Sequence, residues 1–429
     1  MLRQLRRRLP RRTHPLVRLS LWLAVPLLLE MLWHQRTYNV PRPERELDEP
    51  FLGTAGCQDP EAAAAAGQGR EKAALVMLAR NSELEQARHT VESVERRFNR
   101  WFHYPIVFLN DEPFSDAFVE ALNATASGGA RFETIPADQW TFPPWVDPAA
   151  ARASIADQGA RGVSHGGLEG YHHMCRFFSG KFYTLEALRG YRWYWRLEPD
   201  VDFTCSITYD PFAEMARRGK KYGFTISLWE ERDTCPSLFR HMADWKEANG
   251  VETTPLWKAA VQASWAPWPL RRLGAWLSQR DRLGDLWSAC HYWSNFEIAD
   301  MDFFRGKQYQ DLFQHLDSKG GFYFERWGDA AVHSIAVDML LDSAQVHHFA
   351  DIGYRHDSLY QCPANAAGGQ LQGNRALGDD DKWAPEAEGG VGCRCECDGR
   401  ARSRNHPGYC LNKLKAPNTR SRPWFTWFL

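Results

Sequence analysis

Two neighbouring carboxylates follow a run of aromatic residues near the middle of the chain. Glu198 and Asp200 stand in the segment Tyr191-Arg-Trp-Tyr-Trp-Arg-Leu-Glu-Pro-Asp-Val-Asp-Phe203. The aromatic run predicts a strand that is buried on both faces, and Pro199, which has no N–H to donate, should end its ladder. Side chains at i and i+2 of extended chain point to the same side. The two carboxylates would therefore suit Mn²⁺ or Mg²⁺ bound to a diphosphate, unless they only cap the next turn.

Three further residues have chemistry that depends on where the fold places them. Glu297 lies among aromatic residues, where burial would shift its pKa, or it is a carboxylate hydrogen-bonded to backbone. Asp329 follows a glycine before an apolar segment, where its simplest role is a helix N-cap. His356 lies where a loop would leave the sheet, and a lone loop histidine is usually ordinary surface. These residues become a site only if the fold brings them to one sheet edge.

The first part of the globular region has the pattern of a βαβ unit. Residues 73–79 are a continuous apolar run that predicts a buried strand, and residues 104–109 predict the next one. Between them, apolar residues at spacings of three and four predict an amphipathic helix over residues 83–97. This order implies parallel pairing and a Rossmann-like nucleotide half whose ligands bind at the carboxyl ends of the strands. No G-x-G-x-x-G follows the first strand, so a dinucleotide fingerprint is absent.

Two stretches are less regular. Residues 124–168 are rich in Gly, Ala and Pro and are expected to run over the surface, and residues 244–290 combine many Trp and Arg residues with patchy helical periodicity. Trp stacks well on the apolar faces of sugar rings. The chain has 19 Trp residues, and most of them are expected to be core.

The N-terminus has the pattern of a secretory-pathway protein. Six arginines stand among the first twelve residues, and an apolar stretch over residues 19–29 follows. A basic flank before an apolar run is typical of a signal anchor, with a cleaved signal peptide as the alternative. The predicted division is a cytoplasmic basic tail (1–15), a transmembrane signal anchor (16–33), a stem (34–70), a luminal catalytic domain (71–415) and a C-terminal tail (416–429). The alternative for the alanine run at the end of the stem is a helix that packs on the domain.

Charge and cysteine content narrow the possible partners. The 429-residue chain has a formal net charge of -1, which argues against a protein that binds nucleic acid through phosphates. Ten cysteines form an even number, and an oxidising lumen would permit disulfides. A cluster towards the C-terminus, with Cys362 near it in sequence, could instead hold zinc, although zinc sites usually use C-x₂₋₄-C pairs. Disulfides are the favoured interpretation for Cys393, Cys395, Cys397 and Cys410.

Taken together, these segments resemble the fungal GDP-mannose-dependent α-1,2-mannosyltransferases of glycosyltransferase family 15. The resemblance runs in order from about Lys72 to Asp398. Two departures are Phe178, at a position that is usually more polar, and residues 244–290, which look unlike the family over most of their length. The matching segments are Arg80-Asn-Ser-Glu-Leu84, Arg97-Phe-Asn99, Val107-Phe-Leu-Asn-Asp-Glu-Pro-Phe114, Tyr171-His-His-Met-Cys-Arg-Phe177, Tyr194-Trp-Arg-Leu-Glu-Pro-Asp-Val-Asp-Phe203, Trp293-Ser-Asn-Phe-Glu-Ile-Ala-Asp300, Glu325-Arg-Trp-Gly-Asp-Ala-Ala-Val-His-Ser334 and Asp351-Ile-Gly-Tyr354.

The resemblance implies a fold, a reaction and a compartment. The expected protein is a single-pass type II Golgi membrane protein with a glycosyltransferase-A-like α/β fold and a mixed, mainly parallel central sheet. It would transfer mannose from GDP-mannose to a mannosylated glycan acceptor on glycoprotein or glycolipid, with retained configuration, and form the α-1,2 linkage of the family. The expected metal is Mn²⁺, with Mg²⁺ as the alternative.

The resemblance also implies roles for individual residues. Glu297 matches the proposed catalytic nucleophile, and His356 matches the metal-coordinating histidine. Glu198 and Asp200 match the Glu-Pro-Asp segment that takes the place of the usual Asp-x-Asp in binding metal and donor. The residues that would line the donor and acceptor site are Tyr171, Glu198 and Asp329, and those that would border the nucleotide are Arg80, Asn81 and Ser82.

Two questions of mechanism stay open at this stage. Glu297 could form a covalent intermediate, or it could stabilise an oxocarbenium ion in a front-face route assisted by the leaving phosphate. An inactive family member that binds sugar or acts as a Golgi scaffold is the alternative function. The presence of Glu198, Asp200, Glu297, Asp329 and His356 speaks against loss of activity.

Overall fold

A computed structural model describes residues 15–39, 49–66, 70–367, 386–397 and 410–412. The predicted C-terminal tail and all but the last residue of the predicted basic tail lie outside the described residues. The division of the chain into tail, anchor, stem and body therefore remains a prediction.

The described strands and helices alternate through most of the chain. The strands are β1 (Ala73–Leu78), β2 (Ile106–Asn110), β3 (Ala130–Thr134), β4 (Trp193–Leu197), β5 (Val201–Phe203), β6 (Tyr222–Phe224), β7 (Ser227–Trp229), β8 (Val261–Gln262), β9 (Leu286–Trp287), β10 (Cys290–Tyr292), β11 (Glu297–Asp300), β12 (Val346–His348), β13 (Tyr354–His356) and β14 (Leu359–Gln361). The α-helices are α1 (Pro15–Asn39), α2 (Pro60–Ala66), α3 (Leu84–Val94), α4 (Arg100–Phe102), α5 (Asp116–Thr125), α6 (Pro148–Ala160), α7 (Glu169–Arg176), α8 (Pro211–Arg217), α9 (Leu238–Ala248), α10 (Pro255–Ala260), α11 (Met301–Arg305), α12 (Lys307–Asp317), α13 (Gly321–Phe324) and α14 (Asp329–Leu340).

Seven strands form the central sheet, in the order β12-β6-β11-β4-β1-β2-β3. Strand β11 runs antiparallel to both of its neighbours, and the remaining pairs are parallel. The predicted α/β fold with a mixed, mainly parallel sheet is confirmed. The predicted βαβ unit is β1–α3–β2, in which α3 buries Ala87, Val91 and Val94 against the sheet.

Strand β4 is buried on both faces, as its aromatic residues predict. Trp193 and Trp195 belong to one hydrophobic cluster, and Tyr194 belongs to the cluster on the opposite face. The strand ends at Leu197, just before Glu198 and Pro199. The predicted exit of the chain from the sheet at its carboxyl end is therefore confirmed.

The expectation that residues 124–168 run irregularly over the surface is wrong in part. Strand β3 pairs with β2 at the edge of the sheet, and α6 spans 13 residues of this stretch. Asp147 caps α6 by accepting from the Ala149 N–H, and Ala151 and Ile155 are buried beneath it. Small residues thus allow close packing here, where composition alone suggested a loop.

The segment predicted as a stem packs partly on the body. Phe51 is buried and stacks on His347 with ring centroids 3.9 Å apart, and Ala63 and Ala64 of α2 pack against the core. The alanine run is therefore a helix that packs on the domain, which was the alternative to a stem. One disulfide, from Cys57 to Cys393, also ties this segment to the C-terminal region.

The cysteine-rich C-terminal segment forms disulfides rather than a zinc site, as predicted. Besides the bond from Cys57, three disulfides join residues that are 35, 120 and 190 positions apart. Covalent links between remote segments stabilise the fold by limiting the freedom of the unfolded chain. The three pairs are Cys205–Cys395, Cys290–Cys410 and Cys362–Cys397.

Helix α1 covers the stretch predicted as a membrane anchor. It spans 25 residues, includes Pro26, and exposes several large apolar side chains. Among the described residues, no helix combines the length and the apolar character that a bilayer crossing requires.

Candidate active site

A cleft opens at the carboxyl ends of three neighbouring parallel strands, β2, β1 and β4. Its cavity volume is about 190 Å³. In a parallel α/β sheet this edge is where ligands bind. The lining residues are Leu78, Ala79, Arg80, Glu83, Asn110, Asp111, Trp140, Gly170, Tyr171, Met174, Glu198 and Pro199.

The loop after β1 supplies one wall of the cleft. Arg80 lines the cleft, and its guanidinium faces Gly170, where an added Cβ would lie 3.5 Å from Nη2. Asn81 lies outside the lining and joins two loops, since its side chain donates to the Pro113 carbonyl at 3.0 Å and accepts from the Ser115 N–H at 2.9 Å. Ser82 is exposed and also lies outside the lining. Of these three predicted residues, the structure brings only Arg80 into the cleft.

Tyr171 stands on the opposite wall, in the first half of α7. The Arg326 guanidinium lies over its ring at 5.4 Å from the centroid, and His165 stacks on it at 4.5 Å. Burial raises the pKa of Tyr171 well above its ordinary value. Its phenol therefore stays protonated at neutral pH and can donate a hydrogen bond into the cleft.

Below the cleft, Arg196 of β4 joins two predicted site residues. Its guanidinium contacts the Glu198 carboxylate at 2.6 Å and the Asp329 carboxylate at 2.5 Å. It also lies over the Phe178 ring, 3.7 Å from the centroid. The Phe178 ring thus makes a cation–π contact with a buried guanidinium. This contact gives the phenylalanine a role at a position that is usually more polar in the family.

Asp329 is the first residue of α14, and its carboxylate does not cap that helix. Besides Arg196, Ser294 donates its hydroxyl to Asp329 at 2.8 Å. Although burial raises the pKa of Asp329, the nearby Arg196 and His333 lower it below its ordinary value. The N-cap alternative is therefore wrong, and Asp329 is a buried carboxylate that stays ionised.

Glu297 is fully buried at the start of β11, directly opposite Arg196 in the sheet register. One carboxylate oxygen, Oε2, accepts from the Tyr222 hydroxyl at 2.6 Å and contacts His333 Nδ1 at 2.9 Å. The other, Oε1, has no hydrogen-bond partner among the residues that the structure describes. The carboxylate is thus held by side chains, so the alternative of a backbone-bonded glutamate is wrong.

Glu297 and His333 form a buried pair that holds on to a proton. Burial raises the pKa of Glu297, with His333 opposing that shift. Burial lowers the pKa of His333, but the Glu297 carboxylate more than offsets this and raises it overall. His333 Nε2 contacts the Tyr183 hydroxyl at 3.0 Å, so the pair continues into the core away from the cleft.

Asp200 and His356 lie at a separate turn. Asp200 is exposed and has φ of 64°, in the left-handed region, so the extended geometry assumed for Glu198 and Asp200 does not hold. Strand β13 pairs antiparallel with β5, which places His356 opposite Val201, the residue after Asp200. Glu198 instead turns back to Arg196, and the prediction that both carboxylates share a side is wrong.

The chemistry of this turn fits a divalent cation with few protein ligands. No group of three or more His, Cys, Asp or Glu side chains forms a metal site within the part of the chain that the structure describes. The Asn295 side-chain amide contacts His356 Nδ1 at 2.5 Å, which leaves Nε2 as the ring atom able to bind metal. An exposed carboxylate and one imidazole would leave the other coordination positions to water and phosphate oxygens, as Mg²⁺-type sites often do.

Sequence reasoning did not single out Arg196, His333 or Tyr222. A signal existed for Arg196, because a charged residue in a strand buried on both faces requires a buried partner. One partner, Glu198, follows two residues later, but the other, Asp329, lies 133 positions away and could not be found from the local sequence. No local pattern pointed to His333 or Tyr222, whose roles depend on α14 and β6 meeting β11.

Comparison with known proteins identifies the family. The profile described as "Glycolipid 2-alpha-mannosyltransferase", of glycosyltransferase family 15, matches residues 37–371. The chain belongs to glycosyltransferase family 15. The O-glycoside alpha-1,2-mannosyltransferase homolog 4 of Schizosaccharomyces pombe is 38% identical over 405 residues, which cover 88% of this chain and 84% of that protein. Glycolipid 2-alpha-mannosyltransferase 1 of Candida albicans is 42% identical over 294 residues, 68% of this chain and 64% of that protein.

Two solved structures of family 15 relatives share the fold. Core-mannan synthase A from Aspergillus fumigatus, in its Mn/GDP form, is 37% identical, with a TM-score of 0.63 over 76% of this chain and 84% of that one. The mannosyltransferase Ktr4p from S. cerevisiae, in complex with GDP, is 32% identical, with a TM-score of 0.64 over 78% of this chain and 81% of that one. The expected glycosyltransferase-A-like fold is confirmed, as is the family resemblance.

Proposed function

We propose that this family 15 member is a retaining mannosyltransferase that moves mannose from GDP-mannose to a mannosyl acceptor, forming an α-1,2 linkage. The observation that carries the proposal is the cleft at the carboxyl edge of β1, β2 and β4, with ionised side chains beneath it. The relatives named for α-1,2 transfer and for bound GDP support the same donor and linkage.

The nucleotide end of the donor fits the wall that contains Arg80. The Arg80 guanidinium can pair with a phosphate oxygen, since a planar fork of N–H donors suits that geometry. Asn81 holds the loop after β1 to the loop after β2, and so fixes the wall without touching the nucleotide. Asn110 and Asp111, at the end of β2, supply further polar groups to this part of the cleft.

Asp200 and His356 would hold Mn²⁺, with Glu198 close by at the same end of β4. When bound, the metal neutralises charge that develops on the diphosphate leaving group. Glu198 is held by Arg196, so its main effect is to keep the turn and the buried cation together. The relative solved in a Mn/GDP form supports manganese as the cation.

The burial of Glu297 favours a front-face route over direct attack on the sugar. Glu297 is fully buried and does not line the cleft, so it would act on the sugar indirectly, through the neighbouring Arg196–Asp329 ion pair. Such fixed charges stabilise an oxocarbenium-like transition state because they need no reorganisation during the reaction. Tyr171 would donate its phenol O–H to the donor phosphate or to the acceptor.

The test is transfer by the full chain in detergent. Incubation with GDP-mannose, Mn²⁺ and methyl-α-mannoside should give a disaccharide whose α-1,2 linkage is identified by NMR. Glu297→Gln should abolish transfer and leave GDP–Mn²⁺ binding, measured by calorimetry, nearly unchanged. Normal transfer by this variant would discard the role of Glu297, and absence of donor binding by the wild-type chain would favour the inactive sugar-binding protein.

We also propose that the protein is a single-pass type II Golgi membrane protein with its catalytic domain in the lumen. The basic N-terminus and the apolar stretch support this topology, and the four disulfides suit an oxidising compartment. Asn123 of the Asn-Ala-Thr sequon is exposed on α5. Endoglycosidase treatment should therefore shift the wild-type protein but not an Asn123→Gln variant, and an unglycosylated wild-type chain would argue against a luminal body.

A further inference from the structure

A patch of large apolar side chains is exposed between α10 and β9. It has five members, which lie within ten residues of sequence, and each side chain is 40–77% exposed. Single exposed apolar residues are common on protein surfaces, but several together indicate a surface that is covered in use. We call this surface the 268–277 patch; its members are Trp268, Leu270, Leu273, Trp276 and Leu277.

Helix α1 is fixed beside the 268–277 patch through its polar side chains. The Glu30 carboxylate accepts from the Trp268 N–H at 2.8 Å and pairs with Arg271 at 2.7 Å. Four residues on, His34 contacts the buried Asp285 carboxylate at 2.8 Å. The contacts hold the second half of α1 against the segment that contains the patch.

Most of the exposed side chains of α1 in its described part are apolar, with Ser20, Arg36 and Thr37 as polar exceptions. Leu29, Leu32 and Trp33 lie next to Glu30 in sequence and are exposed. Since the polar residues of this turn face the body, the apolar ones extend the 268–277 patch onto the helix. Two elements remote in sequence thus share an apolar surface.

The composition of the surface suits a phospholipid bilayer. Trp concentrates at membrane–water interfaces, where its ring lies among the headgroups, while Leu inserts deeper. Arg272, within the patch segment, is exposed and can pair with a lipid phosphate. A sugar-binding surface would combine Trp with polar partners for hydroxyl groups, whereas the Trp residues here are interleaved with Leu.

We propose that the 268–277 patch lies in the interfacial layer of a phospholipid bilayer, beside the second half of α1, where Leu29, Leu32 and Trp33 are exposed. This contact fixes the orientation of the catalytic body relative to the membrane, beyond tethering it by its N-terminus. The patch lies within residues 244–290, outside the cleft. It does not depend on the proposed mannosyl transfer.

The experiment is photolabelling of the full chain in vesicles of phosphatidylcholine and phosphatidylinositol that contain a diazirine-bearing acyl chain. After irradiation, mass spectrometry should find lipid adducts on peptides from α1 and on peptides containing Leu273 and Trp276. Adducts confined to α1 would overturn the proposal. Cross-links between two copies of the patch, in place of lipid adducts, would also overturn it and indicate a dimer.

A paired variant isolates the patch from the helix. Leu273→Ser combined with Trp276→Ser should lower adduct formation on the remaining patch residues at least fivefold and leave labelling of α1 unchanged. Trp145→Ser is the matched control, because Trp145 is an exposed tryptophan elsewhere on the body, and it should leave both unchanged. Equal labelling of the patch in both variants would contradict the proposal. Transfer to a soluble acceptor should be the same in all three proteins, so a failure of the membrane contact is distinguishable from a failure of the enzyme.

Discussion

Two groups of ionisable residues occupy the carboxyl edge of the sheet, and they differ in how they are held. The buried group consists of Arg196, Asp329, Glu297 and His333, each paired with another side chain. The turn group, Asp200 and His356, is exposed or half-exposed and has few protein partners. Removing one partner of a buried ion pair destabilises the folded protein, because the other charge stays buried and unpaired. Substitutions in the first group should therefore affect both folding and transfer. The second should affect ligand binding alone.

The strongest test of this contrast is Arg196→Met. Removal of the guanidinium leaves the buried Asp329 carboxylate without its cation, so the free energy of unfolding should fall by about 3–5 kcal/mol. Transfer should fall by roughly 10²-fold or more, as for loss of a preorganised charge. Urea denaturation and transfer rate, measured on the same preparation, would check both.

A double variant separates charge from function at the same position. Adding Asp329→Asn to Arg196→Met removes the unpaired charge and should restore part of the stability while transfer stays low. If Arg196→Met alone were as stable as the wild-type chain, the buried group would not be the coupled unit described above.

The turn group should behave in the opposite way. Asp200→Asn and His356→Ala should each weaken Mn²⁺ affinity by roughly 10–100-fold and leave the urea midpoint unchanged. Titration of Mn²⁺ in the presence of GDP gives the affinity. Ser82→Ala, also at an exposed position at this edge, is the control and should change neither quantity. Loss of stability in His356→Ala would show that the two groups are not separate.

The same contrast explains which parts of the molecule could be predicted from sequence. The βαβ unit was predictable because hydrophobic periodicity acts locally, over the residues of one strand or helix. The exit of β4 at Pro199 was predictable because a missing N–H is a property of one residue. The disulfide character of the C-terminal cysteines followed from their spacing, although their pairing did not.

The interior of the site could not be predicted, because it depends on contacts between remote segments. Arg196 meets Asp329 only when α14 packs against β4, and Glu297 meets Tyr222 only through the β6–β11 pairing. The left-handed φ of Asp200 reversed the expected direction of a carboxylate, since pattern arguments assume extended chain. The packing of residues 49–66 on the body likewise depends on Cys57 and a partner 336 positions away.

A smaller effect is expected from Phe178→Leu, which tests the contact between the Phe178 ring and the buried Arg196. The ring lies against the Arg196 guanidinium, and a desolvated cation–π contact contributes about 2 kcal/mol. Leu keeps the site apolar but has no π face, so the free energy of unfolding should fall by about that amount. Phe177→Leu is the matched control, since Phe177 is equally buried but no cation lies over its ring in the described structure. Equal losses in the two variants would assign the effect to packing alone.

The smallest expected effect is a pH dependence of stability that arises from Glu297 and His333. Both pKa values are raised in the folded protein, His333 above 6.5 and Glu297 above 4.5, so the folded state binds more protons than the unfolded state. Their contribution is therefore fully present below these ordinary values and is lost as pH rises through the folded ones, with a slope of at most about 1.4 kcal/mol per pH unit for one proton. Asp329, whose pKa is lowered, acts with the opposite sign and only below pH 3.8. Urea denaturation between pH 5 and 9 should thus show the wild-type chain losing stability above pH 6.5 more steeply than the Glu297→Gln/His333→Asn double variant, in which neither residue of the pair titrates. Parallel curves for the two proteins would mean that the buried pair holds no proton that responds to folding.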